Sequence, residues 1–359
     1  MREGPSDAVL ASASSWGCRV SSWLGGSLLA GDVPVLSGRV SATTSQVVPE
    51  RISFTVPPST VEAGRTVEWL PGDPGAPLGR YGQVVDATIT VGGVDARVGR
   101  YLLTKWEEQD DGSVQVDGAG LLQTAEDDRL LTATGPRDGG TLKSEFLRLL
   151  PSYMTASFGA GLADRAVPRT MEWDEIRLDD LYKITDSWPA RLRTDPWGQV
   201  QVLSPLPATP VPVLTIRDGE GGTLIGAPVS DSRDGAYNVF VARSSADGVE
   251  AQAVARVMSG PMDPSGPYRP VPKFFASPLL LTEAQCLAAA VTMRDESVRQ
   301  SRIRKVTFVP DARVDLDDPV EIITGWGTSR EVREYGYVVG YDHPLTVADG
   351  PSRIDVAIF

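Results

Sequence analysis

The sequence predicts a β-rich α+β protein, in which two small barrel- or sandwich-like β domains flank a helix-hairpin unit and the second carries an inserted helix. Three observations carry that expectation. Short runs of alternating apolar and polar residues dominate both ends of the chain. The apolar period becomes helical only in the middle and again over 282–301. Glycine (36) and proline (28) are both abundant in the 359 residues, which suits a fold with many turns. A prior of roughly 150 residues per domain gives two or three domains. The chain divides into an N-terminal segment (1–15), a first β domain (16–130), a helix-helix-hairpin unit (131–211), a connecting stretch (212–232) and a second β domain (233–359).

After an Ala/Ser-rich opening with room for one or two helical turns, strand-like runs fall at Arg19–Leu24, Gly38–Thr43 and Arg51–Val56. In the last, Ile52, Phe54 and Val56 alternate with Arg51, Ser53 and Thr55, so one face is buried; Pro57 and Pro58 then stop the strand. The run VVDATITVGGVDARVGRYLLTKW reads as a hairpin turned by Gly92 and Gly93, with Ser113–Gly118 as a third arm.

In TLKSEFLRLLPSYM, Leu142, Phe146, Leu149 and Leu150 share one face of a short helix that ends before Pro151. A second helix is expected at Leu178–Trp188, with Leu181, Ile184 and Trp188 aligned. The hairpin ARLRT-DPWG-QVQVL follows, with Asp195, Pro196 and Gly198 where a type I turn favours them. Strands return at Asn238–Arg243, Gln252–Met258, Lys305–Val309, Val320–Thr324, Tyr335–Tyr341 and Arg353–Ile358. They frame the helix at 282–301, where Thr282 and Gln285 have capping-box spacing and Leu281 with Cys286 suits a hydrophobic staple. Leu287, Ala290, Val291 and Val298 form its apolar side. The Pro/Gly-rich stretch Gly260–Pro278 reads as the loop leading into it.

A net charge of -13 disfavours ordinary nucleic-acid binding, because the chain as a whole repels phosphate; the same charge also serves simple solubility. Cys18 and Cys286 are the only cysteines, with no CxxC pair and no neighbouring histidine, so no zinc or redox centre is expected. They are either free thiols, which fits a reducing cytoplasm, or one disulfide. No secretory h-region or apolar run long enough to span a membrane is present, so a soluble protein without conventional export is expected.

No catalytic residue, cofactor site or metal ligand is assigned. The single histidine, His343, precedes Pro344 and reads as a loop residue without triad partners. The glycine pairs Gly118/Gly120, Gly139/Gly140 and Gly221/Gly222 lack phosphate-loop or dinucleotide spacing and read as turns. Asp311, Asp315, Asp317 and Asp318 lack the central glycine and distal glutamate of a calcium loop, which leaves a solvated acidic loop. The eight tryptophans are dispersed and belong by type to cores and interfaces.

Several segments together carry a family resemblance: SGRVSATTSQVVPERISFTVPP, VGRYLLTKWEEQDDGSVQVDGAGLLQTAEDDRL, SRDGAYNVFVAR, SPLLLTEAQCLAAAVTMRDES and the closing RVDLDDPVEII with REYGYVVGYDHPL. Their order resembles the phage tail-hub family, the minor tail proteins of long-tailed actinobacterial phages and the baseplate hubs of contractile tails. Asp317-Asp318-Pro319 departs from the family, where many relatives carry a Pro-Gly-Asp turn. The resemblance implies two tail-tube-like barrels per chain and a homotrimeric ring joining a sixfold tail tube to a threefold tip. Its implied partners are a distal tail or tail tube protein, tip or fibre proteins and the tape-measure protein, with DNA only in transient passage. The implied location is the virion tail tip, after folding in the host cytoplasm; the net charge of -13, with the need for DNA to slide past without being held, makes a neutral to acidic channel wall the expectation. The competing classes are a virion-associated hydrolase or receptor-binding adhesin, and a tube subunit of a tail-like injection system.

Overall fold

A computed structural model describes residues 1–12, 15–62, 64–231, 233, 235–300 and 302–358. A short helix, α1 (Asp7–Ser12), precedes a first lobe of β1 (Trp16–Leu24), β2 (Ser27–Ala30), β3 (Ser37–Thr43), β4 (Glu50–Val56), β5 (Ser59–Glu62), β6 (Arg65–Glu68), β7 (Val84–Val91), β8 (Val94–Glu108) and β9 (Val114–Gly120). A middle unit follows with α2 (Leu122–Asp127), α3 (Leu142–Leu149), β10 (Ala156–Phe158), α4 (Arg177–Ser187), β11 (Arg191–Thr194) and β12 (Val200–Leu203). The last part holds β13 (Leu214–Arg217), β14 (Leu224–Gly226), β15 (Val229–Asp231), β16 (Val239–Ser244), β17 (Gln252–Arg256), β18 (Pro272–Ser277), α5 (Glu283–Gln300), β19 (Arg302–Phe308), β20 (Pro319–Thr324), β21 (Val332–Pro344) and β22 (Ser352–Ile358).

Local chemistry explains the elements that the sequence marks most clearly. Ile52, Phe54 and Val56 are buried along β4 and the strand stops before Pro57. Gly92 and Gly93 take φ 54° and 81°, the left-handed pair that a primed two-residue turn needs, and Val91 faces Val94 across it. The Thr141 hydroxyl accepts from the Ser144 N–H while the Ser144 hydroxyl accepts from the Thr141 N–H, which starts α3. That helix buries Leu142, Phe146 and Leu149 against Leu178, Leu181 and Ile184 of α4 and Val200 and Val202 of β12. At the β11–β12 turn one Asp195 carboxylate oxygen accepts from the N–H groups of both Trp197 and Gln199.

Among the described residues fourteen strands join one sheet, in the order β14-β19-β22-β21-β3-β4-β9-β8-β7-β1-β2, with β13 and β20 attached through β21 and β15 paired to β19. The first lobe and the closing strands are therefore continuous: β3 pairs antiparallel with β21 from Thr43 opposite Gly340 to Arg39 opposite Pro344. The path has two ends, and no closed ring of strands forms among the described residues. The barrels expected from the sequence are open because β3, already paired to β4, gives its second edge to β21 rather than to a closing partner in its own lobe.

Three other expectations need correction. The stretch Gly260–Pro278 is more than a loop: it contains β18, which runs parallel to β16, with Pro272 at its first position where no ladder donor is lost. Strands β16, β17 and β18 form a separate sheet that packs with α5 around Phe240, Ala242, Leu280, Cys286, Ala289 and Ala290. Along α5 the buried face runs through Cys286, Ala289 and Ala290, which turns Leu287 out to solvent, contrary to its placement from spacing. Thr282 accepts from the Gln285 N–H as expected, but the Gln285 side chain caps the N–H of Leu281 rather than that of Thr282. The expected last residue of this helix, Ser301, lies outside the described residues. Among the described residues no helix is long and apolar enough to cross a membrane.

Candidate functional site

The acidic stretch 311–318 is not a solvated loop. It is the centre of a charged junction between the N-terminal segment, β21 of the large sheet and the β11–β12 hairpin. Arg2 is buried; its guanidinium donates to the carbonyls of Ala312 (3.1 Å) and Val314 (2.6 Å) and to the Asp315 carboxylate (2.8 Å). Asp311 is buried against Arg313, which reaches it through Nε (2.9 Å) and Nη2 (2.8 Å) and extends to Asp7 at 2.7 Å. Asp318 holds the amino group of Met1 with one oxygen and accepts from the Asp315 N–H (2.7 Å) with the other. Each carboxylate therefore has a cationic protein partner, with charge and hydrogen bonding matched inside the fold.

Asp317 adopts φ 67°, a left-handed conformation that aspartate tolerates better than most residues. One of its oxygens accepts from Arg193 Nε at 2.9 Å and from Arg191, and the other from Arg193 Nη2 at 3.3 Å. Arg191 and Arg193 alternate with the buried Leu192 in β11, so both guanidinium groups leave the strand on the face opposite the core. That alternation is the only sequence signal for this contact, and it does not point to the partner.

Beside the junction opens a cleft of about 680 Å³ whose lining includes Arg19, Asp95, Arg97, Arg193, Gln201 and Trp197. Trp197, at the tip of the hairpin turn, is 60% exposed; the Arg97 guanidinium lies 5.9 Å from its ring centroid and donates to the Pro196 carbonyl at 2.8 Å. A smaller cavity of about 180 Å³ is lined by Asp186 of α4, Glu296 and Arg299 of α5, Arg191 and Tyr337. Desolvation, then the neighbouring Glu296, pushes the Asp186 carboxyl up to about 6, although it stays open to solvent at the cavity mouth.

His343 is the other correction. It is a buried strand residue of β21, not a loop residue. Nε2 lies 3.0 Å from the Val314 carbonyl, so this nitrogen carries the proton, and Nδ1 accepts from the Ser352 hydroxyl at 3.0 Å. The ring stacks on Tyr341 with centroids 4.9 Å apart, and burial, then the positive Arg2, pushes its pKa down to about 3. A neutral imidazole held from both sides is structural. Cys18 and Cys286 are both free thiols, and desolvation pushes the Cys18 thiol up to about 11.

No protein-family model matches the chain. No curated protein matches it either. Solved structures do match, over nearly its whole length. A tail protein of Neisseria meningitidis aligns with 95% of this chain and 96% of its own at TM-score 0.64 and 12% identity. The 43 kDa tail protein of prophage MuSo2 from Shewanella oneidensis covers 94% of this chain and 97% of its own at TM-score 0.61 and 12% identity. A type VI secretion component of E. coli, described as similar to the T4 tail proteins gp27 and gp5, covers 91% of this chain and 74% of its own at TM-score 0.50 and 9% identity. At such identities the likeness is one of fold, and the fold is that of phage tail proteins.

Proposed function

We propose that this chain is a structural tail-hub protein, three copies of which close into a ring that joins the sixfold tail tube to a threefold tip. The observation that carries the reading is the fold likeness to tail proteins, which extends end to end rather than over one module. The architecture supports it. Two lobes of one continuous sheet, joined through β3 and β21, offer two tube-like surfaces per chain, so three chains offer six. The free ends of the sheet carry exposed apolar residues, Leu28 on β2 and Ile225 on β14, and a ring covers such edges by pairing unlike surfaces of neighbouring copies.

The partners of this ring are a distal tail or tail tube protein on one side, tip or fibre proteins on the other, and the tape-measure protein and DNA in the channel. The net charge of -13 suits a wall past which DNA slides without being held. The role is geometric rather than catalytic. The junction carboxylates Asp315, Asp317 and Asp318 that line the larger cleft are engaged by arginines and by the Met1 amino group. A reconstruction of the assembled tail tests the reading. Three copies around the axis at the tip are expected; six copies per ring, a position outside the tip or a continuous basic lining would each overturn it.

A further inference from the structure

At the heart of the junction lies a chamber of about 10 Å³ whose lining includes Arg2, Glu50, Tyr101 and Tyr341. Four buried polar atoms of these residues, Arg2 Nε, Glu50 Oε2 and the hydroxyl oxygens of Tyr101 and Tyr341, have no hydrogen-bond partner within the protein. The other Glu50 oxygen accepts from the Thr194 hydroxyl at 2.8 Å, which fixes the carboxylate in place. The Arg2 guanidinium is likewise fixed, 4.7 Å above the Tyr341 ring, by its bonds to Ala312, Val314 and Asp315. The residues come from four separate places in the chain: the N-terminal segment, the start of β4, the middle of β8 and β21.

We infer that this chamber is a binding site for one water molecule, which joins Arg2, Glu50, Tyr101 and Tyr341 into a single hydrogen-bonded joint. The volume is about that of one probe sphere, the least that holds a water, and a buried water makes 2 to 4 hydrogen bonds. The donor and acceptor types also match. Arg2 Nε only donates, Glu50, whose pKa burial pushes up, accepts when ionised and donates when protonated, and each tyrosine hydroxyl does either, so one water serves all four. An ion suits the chamber poorly, because a cation meets the Arg2 guanidinium and an anion meets Glu50 and Asp315. The chamber shares Arg2, Glu50, Thr194, Asp195, Pro196 and Asp315 with the larger cleft, which provides the route by which solvent enters.

The test is a crystal structure of the full chain at a resolution that shows ordered water, together with Tyr101→Phe. One oxygen-sized peak within hydrogen-bond distance of Glu50 Oε2 and at least one tyrosine hydroxyl is expected. A chamber without density, or a peak with the short coordination distances of a metal ion, overturns the inference. The variant reads the same question in solution. Removing a hydroxyl from a wet network lowers the melting temperature, whereas removing a hydroxyl that has no partner raises it. If Tyr101→Phe does not fold, Tyr341→Phe gives the same sign test.

Discussion

Asp317 and Arg193, 124 positions apart, are joined by hydrogen bonds of 2.9 and 3.3 Å that fasten the β11–β12 hairpin to the turn before β20. Because the Asp317 backbone is left-handed, Asp317→Gly separates two effects. Glycine relieves the conformation but leaves Arg191 and Arg193 without their shared carboxylate. Loss of the pair dominates, so the variant is expected to be destabilised by about 1 to 3 kcal/mol in denaturant unfolding. A gain in stability would show that the turn, not the ion pair, sets the energy there.

Leu149 is fully buried between α3, α4 and the small sheet of the middle unit. Leu149→Ala is expected to cost about 2 to 5 kcal/mol, read as a lower denaturant midpoint with an unchanged slope. Leu147, exposed on the same helix, provides the control: Leu147→Ala should leave the midpoint nearly in place.

His343 titrates near 3 in the folded chain and near its ordinary 6.5 when unfolded. The unfolded state therefore takes up the proton first, and the stability from this residue is complete above about 6.5 and is lost as pH falls from there towards 3. Proton NMR of the single imidazole, at pH 5, should report a neutral ring that becomes charged only when the chain unfolds. A ring that titrates near 6.5 in the folded protein would contradict the buried, doubly bonded geometry.

Asp186 behaves in the opposite sense. Its carboxyl is raised to about 6 from an ordinary 3.8, so the folded state binds the proton more tightly and this site favours folding as pH falls through 6. Asp186→Asn is expected to raise the melting temperature at pH 7 to 8 and to have little effect below pH 4. An equal shift at both ends of that range would mean that the charge is not the cause.

What the sequence disclosed, and what it hid, follows from the range of the interactions. The β4 alternation, the Gly92–Gly93 turn and the apolar faces of α3 and α4 are written within a few residues of each other and are readable. The junction is not. Arg2 and Asp315 are 313 positions apart, and an acidic cluster looks the same whether water or arginine surrounds it. His343 beside Pro344 has the local marks of a loop, but its strand pairs with β3, where it lies opposite Val40. β18 carries no local mark of its own, because Pro272 and the glycines before it suggest a break, while a parallel partner leaves no hairpin signature.

The pairing of β3 with β21 also dictates an order of events during synthesis. Ser37–Thr43 leaves the ribosome long before Val332–Pro344 exists, so the growing first lobe carries an open edge until β21 has been made. The sheet thus depends on a strand made some way after its partner: a chain terminated before Val332 presents an unfinished β3 edge to proteases and chaperones.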